Sequence, residues 1–293
     1  MQLKAALTAA VEQLEAAEIG SPRMNAETLL MFVLGVNRAY IYAHPELGLN
    51  PNEQSRYDEL VAQRATGMPS QYITGHQEFW GLDFVVTPAV LIPRPETEHL
   101  VETVLDIVRD EREPVARELR IVDVGTGSGC VACALANELP LARVYATDIS
   151  SEALEIAKAN AARLQLADRV EFLHCDVLRP VTTPAIADPV ANLDFVVSNP
   201  PYVAYSETDK VQKSVKEFEP QAAVFAGEHG LDVISRLVIQ AHAALRSGGW
   251  LAMEIGYSMR EQVLALVDPA MWTDVRVVPD LQGIPRVIAA RRK

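Results

Sequence analysis

Apolar residues recur every three or four positions through the first part of the chain. "LKAALTAAVEQLEAAE" puts Leu3, Leu7, Val11 and Leu14 on one helical face. "SPRMNAETLLMFVLG" has Pro22 near a helix start and Gly35 after its end. "NPNEQSRYDELVAQRATG" repeats that grammar with Pro51 and Gly67. Helices this short need packing partners. Residues 1–75 are therefore expected to form a small helical bundle, either a structural cap or a module that docks a substrate. The period then changes. "QEFWGLDFVV" carries two short aromatic and β-branched runs around Gly81, the pattern of a hairpin, and residues 76–92 should link the bundle to the rest of the chain.

From residue 93 to residue 293 strand and helix patterns alternate. "LRIVDVG", "ARVYATD", "RVEFLHCD", "LDFVVSNPP" and "GGWLAMEIG" read as strands. "CVACALANEL", "SEALEIAKANAARLQL" and "LDVISRLVIQAHAALR" read as helices. Such alternation predicts an α/β, Rossmann-like parallel sheet covered on both faces. "DVRVVPD" and "RVIAARR" have no helix between them, so the sheet should end in an antiparallel edge hairpin.

The composition, 49% hydrophobic and 22% charged, fits an ordinary globular protein. The net charge of −13 works against a partner gripped through many phosphates, so no nucleic-acid substrate is expected. Three cysteines, an odd number, argue against a disulfide framework. Cys130 and Cys133 form a CxxC where a helix should start, and read as small buried hydrophobes. The six histidines show no metal-ligand spacing, so no metal is expected. No leader pattern and no membrane-length apolar run is seen, which makes the cytoplasm the default expectation.

Chemistry enters with "DVGTGSG" at 123–129, which comes after the first strand and opens a helix. Gly125, Gly127 and Gly129 allow a tight turn and close approach to a ligand. The spacing is one residue short of a dinucleotide fingerprint, and there is no G-K-[ST] of a phosphate loop. A cofactor without phosphates suits it better. Asp148 ends the second strand, where a carboxylate accepts ribose hydroxyls. It stands beside Ser150 and Ser151, which suit a helix cap. Asp176 ends the third strand, placed to accept from an adenine amino group, with Val177 placed to cover the ring. Together these features point to S-adenosylmethionine, with S-adenosylhomocysteine as product.

"SNPPYV" at 198–203 closes the next strand. Proline lacks an N–H and holds the preceding residue extended. The corner is rich in acceptors and poor in donors. A planar NH2 group needs two acceptors. The Asn199 side-chain oxygen and the Pro200 carbonyl supply them, and the Tyr202 ring can lie against the flat group. Gripping both hydrogens frees a nitrogen lone pair otherwise lost to resonance. The motif therefore names N-methylation of a planar amine, with Asn199, Pro200 and Tyr202 as catalytic candidates.

These residues resemble the amino-group methyltransferases of the class I fold. "LIPRPETEHLVE" (91–102), "QYITGHQEFWGLDF" (71–84), "FEPQAAVFAGEHGLD" (218–232) and "DLQGIPRVIAARR" (280–292) narrow the resemblance to the release-factor glutamine methyltransferases, the HemK or PrmC family. A sister family that methylates a ribosomal-protein glutamine carries a different sequence after the "PR". "NPPY" alone is shared with DNA and RNA amino methyltransferases, the rival reading. The resemblance implies methylation of the amide nitrogen, N5, of the Gln in the Gly-Gly-Gln loop of peptide-chain release factors. By position, Gly125, Thr126, Gly127, Ser128, Gly129 and Asp148 would hold the cofactor, joined by Asp176, Val177 and Asn199. Asn199, Pro200, Pro201 and Tyr202 would hold the glutamine. Arg94 and Glu96 are substrate-site candidates that also suit an ion pair or a helix start. Met259 stands where many members show Gln and is assigned no role.

Overall fold

The computed structural model describes residues 1–110, 118–180 and 191–293. The chain divides into two compact units, Met1–His76 with Gln212–Phe218, and Gln77–Val211 with Glu219–Lys293.

The first unit carries α1 (Leu3–Ala16), α2 (Pro22–Leu34), α3 (Arg38–Ala43), α4 (Pro51–Ala65) and α5 (Ser70–Thr74). Pro22 and Pro51 begin α2 and α4, where a missing N–H has no cost. Asn50 caps α4, with Glu53 reaching back in a capping box. Gly35 ends α2 in the left-handed conformation. Leu14, Leu29, Leu30, Tyr57 and Leu60 fill the core of the unit. The buried face of α1 differs from the expected one. It comprises Leu3, Ala6, Leu7, Ala10 and Leu14, while Val11 lies at its margin.

The second unit begins in the first strand, β1 (His76–Phe79), which forms a two-stranded sheet with β2 (Leu82–Val85), turned at Trp80 and Gly81, both at positive φ. Phe79 and Phe84 bury themselves in the α/β core, so the hairpin is part of that core. Next along the chain are a 3-10 turn at Pro95–Thr97, α6 (Glu98–Asp110), β3 (Arg120–Val124), α7 (Cys130–Glu138), β4 (Arg143–Asp148), α8 (Ser151–Arg163), β5 (Val170–Asp176), β6 (Arg179–Pro180) and β7 (Leu193–Ser198). After them come α9 (Lys213–Phe218), which belongs to the first unit, α10 (Gln221–Val224), α11 (Asp232–Ala244), β8 (Leu245–Glu254), α12 (Arg260–Leu264), β9 (Trp272–Pro279) and β10 (Pro285–Arg292).

The large sheet runs β6-β5-β4-β3-β7-β8-β10-β9. β5, β4, β3, β7 and β8 are parallel, and β10 pairs antiparallel with both β8 and β9, the expected edge hairpin. The two-residue β6 adds a short antiparallel rim to β5. Apolar residues on one face pack with α6, α7 and the hairpin, and those on the other with α11 and α12. Burial on both faces explains why the strands read as continuous apolar runs rather than alternating ones. β3 pairs with β4 on one side and β7 on the other, so the chain direction across the sheet reverses there. Ligands of open α/β sheets bind at this point, beyond the carboxyl ends of the strands. Val124, Asp148, Asp176, Ser198 and Glu254 all end parallel strands at that edge.

Candidate active site

The glycine loop is held by β4. Gly125 N and Thr126 N donate to the Thr147 carbonyl at 2.8 and 2.9 Å. Asp123, 2% exposed, accepts from Thr126 Oγ1 at 2.6 Å and from Ala132 N at 3.1 Å, so one buried carboxylate fastens the loop to the start of α7. Burial pushes its pKa up to about 7. Added Cβ atoms on Gly125 and Gly127 would meet open space, at φ of +71° and +55°. Gly129 is different, because its missing Cβ makes room for Ala157 of α8, 3.1 Å away. It packs the loop down rather than lining the space above it.

Asp148 bonds in two directions. Its Oδ2 accepts from Gly127 N and its Oδ1 from Ser150 N, both at 2.9 Å. Ser150 in turn caps α8 through Ala153 N. Asp148 therefore both opens the helix and braces the loop. Burial raises its pKa, and the N–H groups of Ser150 and Gly127 pull it back. Asp176 lies farther out, paired with Arg236 at 2.6 Å. Val177 sits at φ +60°, unusual for a β-branched residue, and its carbonyl accepts from Thr147 Oγ1. Its side chain is 7% exposed and packs into the core, which leaves little of it to cover a ring.

The loop 125–128, Leu91, Pro93, Arg94, Thr97 and Asn199 line a cleft of about 40 Å³ that opens to solvent. Three features of this edge fit S-adenosylmethionine. Gly125 and Gly127 face open space. Ser128 Oγ is buried and finds no partner better than the Cys130 thiol. The Asp148 oxygens each keep a lone pair for ribose hydroxyls. Among the described residues no group of three or more His, Cys, Asp or Glu could hold a metal ion. Cys130 and Cys133 are buried free thiols whose pKa burial raises.

Asn199, Pro200, Pro201 and Tyr202 come directly after β7, with Asn199 half-buried and Pro200 buried. Asn199 Nδ2 donates to Thr97 Oγ1 at 3.0 Å. Tyr202 OH reaches Glu254 Oε1 at 3.4 Å. Burial and the nearby Glu254 carboxylate raise the Tyr202 pKa, so the phenol stays protonated. The segment after the corner is clasped from behind. Val203 N donates to the Val224 carbonyl and Ala226 N to the Val203 carbonyl, while Tyr205 stacks on Phe225 with centroids 5.6 Å apart. The stretch around 218–232 is thus the scaffold of the Asn-Pro-Pro-Tyr corner. Arg94 pairs with Glu219 at 2.5 Å, and Glu219 also accepts from Ile92 N at 3.3 Å. Glu219 therefore fixes the wall that brings Arg94 to the cleft. Glu96 is half-buried in the turn that precedes α6. Met259 packs against Gly256, where an added Cβ would meet its sulfur at 3.1 Å and the Tyr202 ring at 3.2 Å.

Sequence patterns overlooked Asp123, Thr97, Glu219 and Glu254. Asp123 and Glu254 left a signal, each a lone acid in an apolar strand, "IVDVG" and "WLAMEIG". A charge there must be partnered. Thr97 and Glu219 gave no comparable sign.

Comparison with known proteins gives two family matches: the PrmC N-terminal domain at residues 5–75 and the methyltransferase small domain at residues 108–225. The chain is 53% identical to a release factor glutamine methyltransferase of Koribacter versatilis, across 100% of this chain and 99% of the relative. Proteins of the same name from Moorella thermoacetica and Nitratidesulfovibrio vulgaris are 42% and 39% identical, each across at least 95% of both chains. Among solved structures, the hMettl16 catalytic domain in complex with MAT2A 3'UTR hairpin 6 superposes with a TM-score of 0.54 at 19% identity, covering 80% of this chain and 82% of that one. A Pyrococcus furiosus methyltransferase reaches 0.50 at 14% identity, covering 81% and 98%. These two share the fold.

Proposed function

The chain belongs to the release factor glutamine methyltransferases, and on that premise we propose that it methylates the side-chain amide nitrogen of the Gln in the Gly-Gly-Gln motif of peptide-chain release factors, using S-adenosylmethionine. When bound, that cofactor supplies an electrophilic methyl on a sulfonium. Asp148 would accept hydrogen bonds from the ribose hydroxyls, and the loop 125–128 would let the cofactor approach the backbone. Asn199 Oδ1 and the Pro200 carbonyl accept the two hydrogens of the glutamine NH2. Tyr202 packs against the planar amide, with Pro201 stiffening the turn between them. Asp176 takes a supporting place at the cofactor end, and Arg94 and Glu96 take supporting places at the substrate end.

The supporting observation is the placement of Asn199. Its Nδ2 is committed to Thr97 at 3.0 Å, and the residue lines the same cleft as the glycine loop. The carbonyl end is then the one offered to a substrate. An amide nitrogen is a poor nucleophile because its lone pair is delocalised. Holding both hydrogens in acceptors orients the group and favours the transition state over the planar ground state. A strong base is unnecessary, because an amide nitrogen with a fourth bond is a strong acid and would yield its extra proton to water.

The helical unit is assigned to docking the release factor, whose single Gln loop offers far less than the roughly 1,000 Å² a specific interface needs. A reaction on this class of substrate belongs in the cytoplasm. Labelled methyl donor offered with a release factor, with nucleic acid and with neither tests the assignment. One methyl on the Gln of the Gly-Gly-Gln loop is expected, and label in nucleic acid instead would overturn it.

A further inference from the structure

A chain of hydrogen bonds runs from Asn199 into the interior. Asn199 Nδ2 donates to Thr97 Oγ1 at 3.0 Å, and Thr97 Oγ1 donates to Glu254 Oε2 at 2.6 Å. The other carboxylate oxygen faces Tyr202 OH at 3.4 Å. Thr97 and Glu254 are each 2% exposed, so solvent cannot replace these partners. One buried carboxylate therefore tethers both polar side chains of the substrate corner.

The direction of the chain is set by the number of hydrogens. An ionised carboxylate only accepts, and a threonine hydroxyl has one hydrogen. Thr97 must give that hydrogen to Glu254, and so can only accept from Asn199. Of the two ends of the Asn199 amide, only the nitrogen can donate. The oxygen is left for the substrate.

We propose that Thr97 and Glu254 are positioning residues, which through this chain fix the Asn199 amide with its oxygen toward the substrate only while Glu254 is ionised. This rests on Asn199 being the substrate acceptor. A protonated Glu254 can donate to Thr97, whose hydrogen then turns to Asn199 Oδ1. The amide rotates and presents its NH2 to the substrate NH2, donor against donor. The groups facing Glu254 pull in opposite senses. Burial is the largest influence and raises its pKa, to about 7, with Glu96 pushing the same way. Thr97, Arg286 of β10 and Tyr202 favour the ionised form. Arg286 is itself held by Asp280 at 2.8 Å. The orientation of Asn199 thus changes within the ordinary working range of pH.

The test uses the full chain, with wild type compared to Thr97→Val, Thr97→Ser, Glu254→Gln and the Thr97→Val/Glu254→Gln double variant. Val keeps the shape of Thr and removes the hydroxyl. Thr97→Val should lower kcat about tenfold, the effect of one lost grip, with the KM for release factor and donor affinity near wild type. Thr97→Ser should restore kcat. Glu254→Gln should lower kcat as much and abolish an acidic limb near pH 7, because an amide does not titrate and can present either a donor or an acceptor to Thr97, so the direction of the chain is no longer set by a charge. The double variant should be no worse than the poorer single one, since both break one chain. A wild-type kcat in Thr97→Val, or an unchanged pH profile in Glu254→Gln, overturns the proposal. A second readout needs no turnover: the Asn199 side-chain amide nitrogen resonance should shift with a midpoint near pH 7 in wild type and lose that midpoint in Thr97→Val. A resonance indifferent to pH in wild type overturns the proposal even if every variant folds poorly. Failure of wild type to methylate release factor counts against the substrate assignment alone, and the resonance still decides the relay.

Discussion

Asn160 pairs with Val85 as a neighbouring strand would. Val85 N donates to Asn160 Oδ1 at 2.8 Å, and Asn160 Nδ2 donates back to the Val85 carbonyl at 2.9 Å. The same Nδ2 also donates to the Ser128 carbonyl at 2.9 Å. One buried side chain on α8 thus joins the β1–β2 hairpin to the glycine loop. Asn160→Ala leaves buried backbone groups unpaired and should cost about 1–3 kcal/mol for each group stranded. Urea unfolding measures it. Unchanged stability would mean that the hairpin is held by its aromatic residues alone.

Asp148→Ala should weaken methyl-donor binding by about 1–3 kcal/mol, roughly tenfold to a hundredfold, through the loss of charge-assisted hydrogen bonds. The loop is loosened as well, because Gly127 N loses its acceptor. Calorimetry with S-adenosylmethionine gives the answer directly, and an unaltered Kd would remove Asp148 from the site.

Asn199→Ala should fold normally and lose most of its turnover. Asn199→Asp should also be poor. It brings a negative charge next to the donor and strands Thr97 Oγ1 without the amide hydrogen it now accepts. Single-turnover rates with release factor separate these effects from binding.

Gly230 has φ +74°, and a Cβ there would lie 2.3 Å from the Tyr202 carbonyl. Gly230→Ala should therefore displace the corner and reduce kcat by more than an ordinary surface alanine, with donor affinity kept. Normal turnover in this variant would show that the corner tolerates movement.

Asp123 contributes to the pH dependence of stability, alongside Glu254 and Asp148, whose pKa values burial also raises. Its folded pKa of about 7 lies above the ordinary aspartate value of 3.8. Between these values the folded state binds more protons than the unfolded one, so stability falls as pH rises from about 4 to about 7. In Asp123→Asn the amide oxygen can still accept from Thr126 and Ala132, whose bonds both fall on Oδ2. That variant should lose less stability over the same range. Parallel thermal melts with pH would refute this reading.

Phe32 and Tyr40 of the helical unit are 43% and 40% exposed, large apolar side chains open to solvent. If that unit docks the release factor, Phe32→Ser and Tyr40→Ser should raise the KM for release factor and leave kcat alone, the signature of lost uniform binding. A fall in kcat with constant KM would place these residues outside the docking surface.

By itself the sequence determined the elements and the main chemistry. Helical and strand periods report which positions are buried, and burial tracks local spacing. Gly125 and Gly127 declare a backbone no other residue adopts easily, and the two prolines after Asn199 constrain the corner wherever it sits. The tertiary structure alone decided which side chains meet. Thr97 and Glu254 are 157 positions apart and Asn199 and Thr97 are 102 apart. Local spacing marks a residue as buried but cannot name its partner. Glu254 shows the division well: an acid in an apolar strand announced that some partner must exist, and only the parallel packing of β7 beside β8, with the turn at Pro95–Thr97 brought to the same edge, supplied Thr97 and Tyr202.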